Sequence, residues 1–168
     1  MLKPEKSMRL LAAMLASLAG TMILQPGVAA ARGSSAAPAT EYYPMAHPPA
    51  GMTPPFSEAV RVGDMLYLSG EIGLDGSGKL IAGGISAEAK QVMDNIGANL
   101  ARHGSSFDNV VQCTVALADI KDWPAFNEVY RGYFAKHFPA RMAYATGGLA
   151  LSARVEVQCN AVRGENAH

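Results

Sequence analysis

The sequence predicts an α+β domain, a mixed β-sheet with two helices on one face. Three observations predict it. Strand-like and helix-like stretches alternate in the order β-β-α-β-α-β-β, each helical stretch carries a single apolar stripe, and the last strand alternates strictly. In that strand Val155, Val157, Cys159 and Ala161 fall on one face and Glu156, Gln158 and Asn160 on the other. Strand–helix–strand crossovers of one hand put both helices on the same side of the sheet.

The chain opens with targeting signals rather than with the domain. Residues 1–9 carry Lys3, Lys6 and Arg9, and Leu10 to Leu24 is uncharged and mostly apolar. Gln25-Pro26-Gly27 and Val28-Ala29-Ala30-Ala31 follow. A basic start, a short apolar run and small residues at the end read as a secretory signal peptide over residues 1–31. As a helix the apolar run spans about 22 Å, short of a hydrocarbon core of roughly 30 Å, which disfavours a retained anchor. The expectation is a periplasmic or secreted protein with no stable membrane association after cleavage. Residues 32–55 are rich in Ala, Pro, Ser and Gly without periodicity and read as a flexible linker. The domain is expected over 56–163, with 164–168 a short tail.

Within the domain, Ser57–Val62 and Met65–Ile72 read as a hairpin turning at Gly63-Asp64. Gly83-Gly84 bends the chain into a helix, for which Ser86 is a natural N-cap and Glu88 suits the N-terminal dipole. Ala89, Val92, Met93, Ile96 and Leu100 form its apolar stripe, and Gly104 ends it as a C′ glycine. Val110 to Ala118 is strongly β-prone. Asp122 is the expected cap of a second helix with Pro124 in its first turn and Phe126, Val129, Tyr130, Tyr133 and Phe134 inside. Phe138 to Val162 then reads as strand, Gly147-Gly148 turn and strand. The outward residues Gln112, Thr114, Ala116, Glu156, Gln158 and Asn160 are too small and polar for a second core, yet lack the Lys/Glu mixture of a solvated face. That face is expected to bury against another copy of the chain.

Composition excludes several functions. Removing residues 1–31 takes three of the 14 basic and one of the 14 acidic residues, leaving a net charge of −2. With no basic stripe, nucleic acid is not an expected partner. His47, His103, His137 and His168 are spaced for no shared metal, and no cofactor motif is present. No G-x-S-x-G elbow occurs, and neither Cys113 nor Cys159 has a His at a recognisable spacing. For the two cysteines, a disulfide made after export and a pair of buried free thiols are both open readings. What remains is a lone arginine, Arg141, and a glutamate, Glu156, on otherwise apolar strands. They are the expected working groups, an anion clamp and a carboxylate that handles water or protons.

An ordered set of motifs then points to a family. F-S-E-A-V at 56–60, L-S-G-E-I at 68–72, G-G-I at 83–85 and G-S-S-F-D-N-V-V at 104–111 come first. D-W-P-A-F-N-E-V-Y at 122–130, P-A-R at 139–141 and V-E-V at 155–157 complete the set. Together they closely resemble the Rid family of reactive intermediate (imine/enamine) deaminases, also called YjgF or endoribonuclease L-PSP proteins. The resemblance runs from Pro54 to Val162, and the spacing from Arg141 to Glu156 fits it.

The resemblance implies a chorismate-mutase-like fold assembled as a barrel-shaped homotrimer with clefts between subunits. It implies hydrolysis of 2-imino or 2-enamino acids to 2-oxo acids and ammonia, without metal or cofactor. Arg141 takes the place of the arginine that grips the substrate carboxylate, and Glu156 that of the carboxylate positioning water. Phe56, Glu58, Gly70, Asn127 and Ala143 fall in the substrate-binding cleft. It also makes the strands of Cys113 and Cys159 antiparallel neighbours, with both cysteines toward the helices. The chain departs from the family at four places. Phe56 stands for a tyrosine, Glu58 for a glutamine, Ala143 for a cysteine and Gln158 for a second glutamate. These departures bear on rate and substrate range, and Phe56 and Glu58 support an alternative, a non-catalytic trimer that binds small carboxylates in the same cleft.

Overall fold

Seven strands form one sheet in the order β1-β2-β3-β7-β5-β6, with β4 pairing β7 beyond β3. The strands are β1 (Thr40–Tyr43), β2 (Ala59–Val62), β3 (Met65–Leu68), β4 (Glu71–Ile72), β5 (Val110–Leu117), β6 (Ala140–Ala145) and β7 (Val155–Val162). Helices α1 (Gly84–Arg102) and α2 (Trp123–Tyr130) lie on one face. This computed structural model describes residues 37–46, 48 and 53–164. The expected signal peptide (1–31) and the last four residues of the expected tail lie outside the described residues.

The core is the layer between helices and sheet. The predicted α1 stripe of Ala89, Val92, Met93, Ile96 and Leu100 is fully buried. It meets Cys113, Val115 and Leu117 of β5 and Val155, Val157, Cys159 and Ala161 of β7, all 0% exposed. Phe126, Tyr130 and Phe134 extend this layer over β6, with their rings in successive contact. Gly104, at φ 73°, ends α1 as expected. The Ser105 N–H bonds the Leu100 carbonyl at 2.8 Å and the Gly104 N–H bonds that of Ala101 at 3.2 Å, the paired closure that a left-handed C′ residue permits.

Four expectations need correction. The linker reading of 32–55 fails at Thr40–Tyr43, which pairs antiparallel with β2 from Thr40↔Val62 to Tyr43↔Ala59. A β-branched and aromatic run stands there between prolines, and Tyr43 repays its ordering by packing on the core and stacking on His103 at 4.4 Å. The hairpin of the last two strands also fails. β6 pairs parallel with β5, and β7 pairs antiparallel with the other edge of β5. The connection runs from Thr146 to Arg154 and includes a helical turn at Ala150–Ser152, so it is long enough to carry the chain past β5.

Both predicted N-caps act elsewhere. Helix α1 begins at Gly84, ahead of Ser86, with Gly83 as its N-cap at φ 120°. Glu88 is buried and accepts the Arg154 N–H at 2.7 Å. Asp122 does precede α2, but its carboxylate takes Nε and Nη2 of Arg154 at 3.0 and 2.8 Å instead of capping. The two carboxylates thus pin the start of β7 to both helices, a use that local spacing does not reveal.

One irregularity places the site. The pairing of β7 slips by one residue between Tyr67↔Asn160 and Glu71↔Val157. This bulge divides the predicted strand Met65–Ile72 at Ser69-Gly70 and inverts the faces of the residues beyond it.

Candidate active site

Glu156 stands on the face of β7 away from the helices. In the register Tyr144, Ala116 and Glu156 form one row across β6, β5 and β7, and Met142, Thr114 and Gln158 form the next. The small Ala116 between two large side chains leaves a depression of about 180 Å³, lined by Thr114, Ala116, Tyr144, Thr146, Leu149, Glu156 and Gln158. Gln158 is fixed by its amide, which donates to the Leu68 carbonyl at 3.0 Å and to Asn160 Oδ1 at 2.6 Å. The Glu156 carboxylate makes no hydrogen bond or ion pair with the described residues, so its lone pairs are available to a ligand or to water.

Gly70 lies against this carboxylate. A Cβ built on Gly70 would lie 2.1 Å from Oε1 of Glu156, so the carboxylate rests directly against the bare backbone of the bulge. Only glycine permits that approach.

Arg141 lies on the other face. Its register partner is Cys113, on the helix side, whereas that of Glu156 is Ala116, on the open side. Within one chain the two expected working groups are not brought together. Arg141 is exposed on edge strand β6, its guanidinium carbon 4.7 Å from the centre of the Tyr130 ring, a cation–π contact that leaves the donor fork free. The Tyr130 hydroxyl is buried and unpaired, as is Oδ1 of Asn127 three residues earlier on α2. Burial, relieved somewhat by Arg141, pushes the Tyr130 hydroxyl up to about 12. Ala143, on the same face of β6 as Arg141, packs against the core.

Two other residues expected in the cleft, Glu58 and Phe56, are outside the lining of this depression within one chain. Glu58 does not line the Glu156 depression. It is 7% exposed and holds the Ala46 N–H at 3.1 Å, His103 Nε2 at 3.0 Å and the Arg102 guanidinium. Burial pushes its carboxyl up, but the Ala46, His103 and Arg102 contacts outweigh burial and hold it below the usual range. These contacts tie the Glu58 carboxylate to the C-terminus of α1. Phe56 lies 52% exposed in the segment before β2 and carries no hydroxyl.

Glu71 was missed by sequence reasoning. The bulge turns it to the helix side, where Asn99 Nδ2 donates to it at 2.5 Å and the same Asn99 accepts from Arg102 at 2.7 Å. Burial and the nearby Glu58 carboxylate push its carboxyl up to about 7, against the opposing pull of Asn99 and Arg102, and Glu156 adds to the rise. Cys113 and Cys159 are register partners on β5 and β7 and are joined by a disulfide with a Cα–Cα distance of 4.1 Å. Among the described residues no group of three or more His, Cys, Asp or Glu side chains is placed to hold a metal ion.

A model of the endoribonuclease L-PSP family matches residues 46–163. The chain belongs to the endoribonuclease L-PSP family. This is the YjgF or Rid family, and its members include close relatives. A Homo sapiens protein named 2-iminobutanoate/2-iminopropanoate deaminase is 45% identical over 115 residues, covering 68% of this chain and 84% of its own. A Capra hircus protein of the same name is 49% identical over 111 residues, covering 66% and 81%. The crystal structure of yeast YEO7 superposes with a TM-score of 0.70 at 34% identity, covering 75% of this chain and all of that one. The YjgF gene product of E. coli does so with a TM-score of 0.66 at 27% identity, covering 74% and 99%. The mixed sheet with two helices on one face is thus the L-PSP fold.

Proposed function

We propose that this chain hydrolyses reactive 2-imino and 2-enamino acids to 2-oxo acids and ammonia. The observation that carries the reading is an unpaired carboxylate, Glu156, set against bare backbone in a small cavity, in a chain 45% identical to a protein named as such a deaminase. Arg141 holds the substrate carboxylate through two parallel N–H bonds. Glu156 takes a proton from water as the water oxygen bonds to C2 of the imine, and the imine nitrogen gains a proton. The C–N bond of the resulting carbinolamine then breaks, the hydroxyl gives up its proton to form the 2-oxo group, and ammonia departs. An enamine enters the same path after protonation at C3.

The working assembly is a homotrimer, as the family resemblance implies, with each site shared between copies. The positions of Arg141 and Glu156 on opposite faces of one sheet support this, because a second copy is needed to complete the pair. The exposed Tyr67, Met142 and Tyr144 support burial of the open face against that copy. Export is part of the proposal. It rests on the basic and apolar start of the sequence and is supported by the Cys113–Cys159 disulfide, since such bonds persist in oxidising compartments.

An L-amino-acid oxidase supplying 2-iminobutyrate tests the reaction. The mature protein should speed release of ammonia and 2-oxobutyrate, and its Arg141→Ala variant should not. Absence of any acceleration by the wild type removes the deaminase reading. Carboxylate binding that depends on Arg141 without turnover would then establish the binding trimer, which the missing hydroxyl at Phe56 favours.

A further inference from the structure

We propose that Glu71 is a positioning residue for Glu156, holding the Gly70 bulge in place from the opposite face of the sheet. This role rests on the deaminase reading, and the link between the two carboxyl groups has a readout of its own. Its basis is a chain of contacts that runs from α1 through β4 to the open face.

Strand β4 has only two residues, so its ladder to β7, Glu71↔Val157 and Ile72↔Glu156, is too short to fix it alone. Helix α1 supplies the remaining anchors. Gly73 lies against the Glu88 backbone, where an added Cβ would stand 3.1 Å from the Glu88 Cα. Asn95 Nδ2 donates to the Leu74 carbonyl at 3.0 Å. Asn99 Nδ2 donates to Oε1 of Glu71 at 2.5 Å, and its Oδ1 accepts from Arg102 at 2.7 Å, so this amide is committed at both ends. The Glu71 side chain is the last of these anchors before Gly70, whose bare backbone backs Oε1 of Glu156. A shift of β4 therefore moves the surface on which the proposed catalytic carboxylate rests.

The anchor holds best without a charge. The charged groups that face Glu71 are Glu58 ahead of β2, Arg102 on α1 and Glu156 on β7. Arg102 is already engaged by Glu58, behind which stands His103. Burial and the Glu58 carboxylate push the Glu71 carboxyl up to about 7, Asn99 and Arg102 oppose them, and Glu156 adds to the rise. Such coupling is reciprocal, so a charge on Glu71 is felt at Glu156 as well. Above neutrality the ionised side chain is drawn from its buried place toward water, and the two-residue strand yields with it.

The test follows kcat/KM from pH 6 to pH 8 for the assembled mature protein, using oxidase-generated 2-iminobutyrate and subtracting spontaneous hydrolysis. Glu71→Gln keeps an oxygen for Asn99 and removes the charge. Wild type should lose about tenfold across that range, as for a group that must hold its proton near pH 7, and Glu71→Gln no more than about twofold. At pH 6 Asn99→Ala should lower kcat about tenfold with KM within about twofold, because Arg141 is untouched. An NMR titration of carboxyl-labelled glutamates follows both groups without turnover and needs only the wild type if the variants fail to assemble. The Glu156 resonance should show an inflection that coincides with the titration of Glu71. Parallel pH profiles for wild type and Glu71→Gln, or an unaltered kcat in Asn99→Ala, overturn the inference while leaving the deaminase reading intact. So does a Glu156 resonance without that inflection. Absence of wild-type turnover removes the deaminase reading, and the NMR titration then decides the coupling by itself.

Discussion

Gly70 and Glu156 occupy each other's space, the hydrogen of one standing where any side chain would strike the carboxylate of the other, 2.1 Å from Oε1. The bulge between β3 and β4 exists where this contact is made, which ties an irregularity of the sheet to the aim of the proposed catalytic group. Gly70→Ala should therefore leave the fold in place and move the carboxylate. The expected result is a fall in kcat/KM on the order of 10²-fold, the usual cost of misplacing a reacting group by about 1 Å. Circular dichroism should be unchanged. Full activity in this variant would mean that Glu156 needs no fixed position.

Glu71 makes stability depend on pH in an unusual direction for a carboxylate. Its folded-state value of about 7 lies above the ordinary 4.5, so the native chain binds this proton more tightly than the unfolded chain does. The associated stability is fully present below about pH 4.5 and is lost as pH rises through 7, by about 3 kcal/mol at most. Glu71→Gln keeps a partner for Asn99 without the charge. Its melting temperature should match wild type near pH 4.5 and exceed it increasingly toward pH 8. Parallel curves across that range would show that Glu71 ionises freely in the native protein.

These two residues also mark what was legible in the sequence. Features set by local periodicity could be read directly. The α1 stripe, the Gly104 stop, strand β5 and the alternation of β7 are such features, and with them Glu156 on the open face. Features set by distant partners could not. Regular alternation from Met65 puts Glu71 outward with Tyr67, and only the one-residue slip against β7 turns it inward. Glu58 is just as opaque, because Arg102 and His103 that claim it lie more than 40 positions away. The short run Thr40–Tyr43 was hidden by its Ala/Pro-rich surroundings, and only pairing with β2 makes it a strand. The true order of β6, β5 and β7 is a fact of topology that a Gly-Gly turn cannot disclose.

The Cys113–Cys159 disulfide closes a separation of 46 residues between paired central strands. Loop closure of that length is worth roughly 2–4 kcal/mol through the unfolded state. The double variant Cys113→Ala/Cys159→Ala should lose about that much in chemical denaturation. A thiol titration of the denatured, unreduced mature protein should return no free thiols. Two free thiols would remove this support for an oxidising compartment.

The placement of Arg141 and Glu156 on opposite faces leads to a test of the assembly that does not depend on knowing the natural substrate. Arg141→Ala and Glu156→Gln should each abolish imine hydrolysis. If every site takes its arginine from one copy and its glutamate from another, unfolding the two inactive variants together and refolding them should restore turnover. At equal mixing, roughly a quarter of the sites then combine an intact Arg141 with an intact Glu156 across a subunit boundary. If instead both groups of one chain served the same substrate, no mixed assembly could contain a complete site, and activity would stay at the level of the separate variants. The reconstituted rate therefore distinguishes a shared site from a self-contained one.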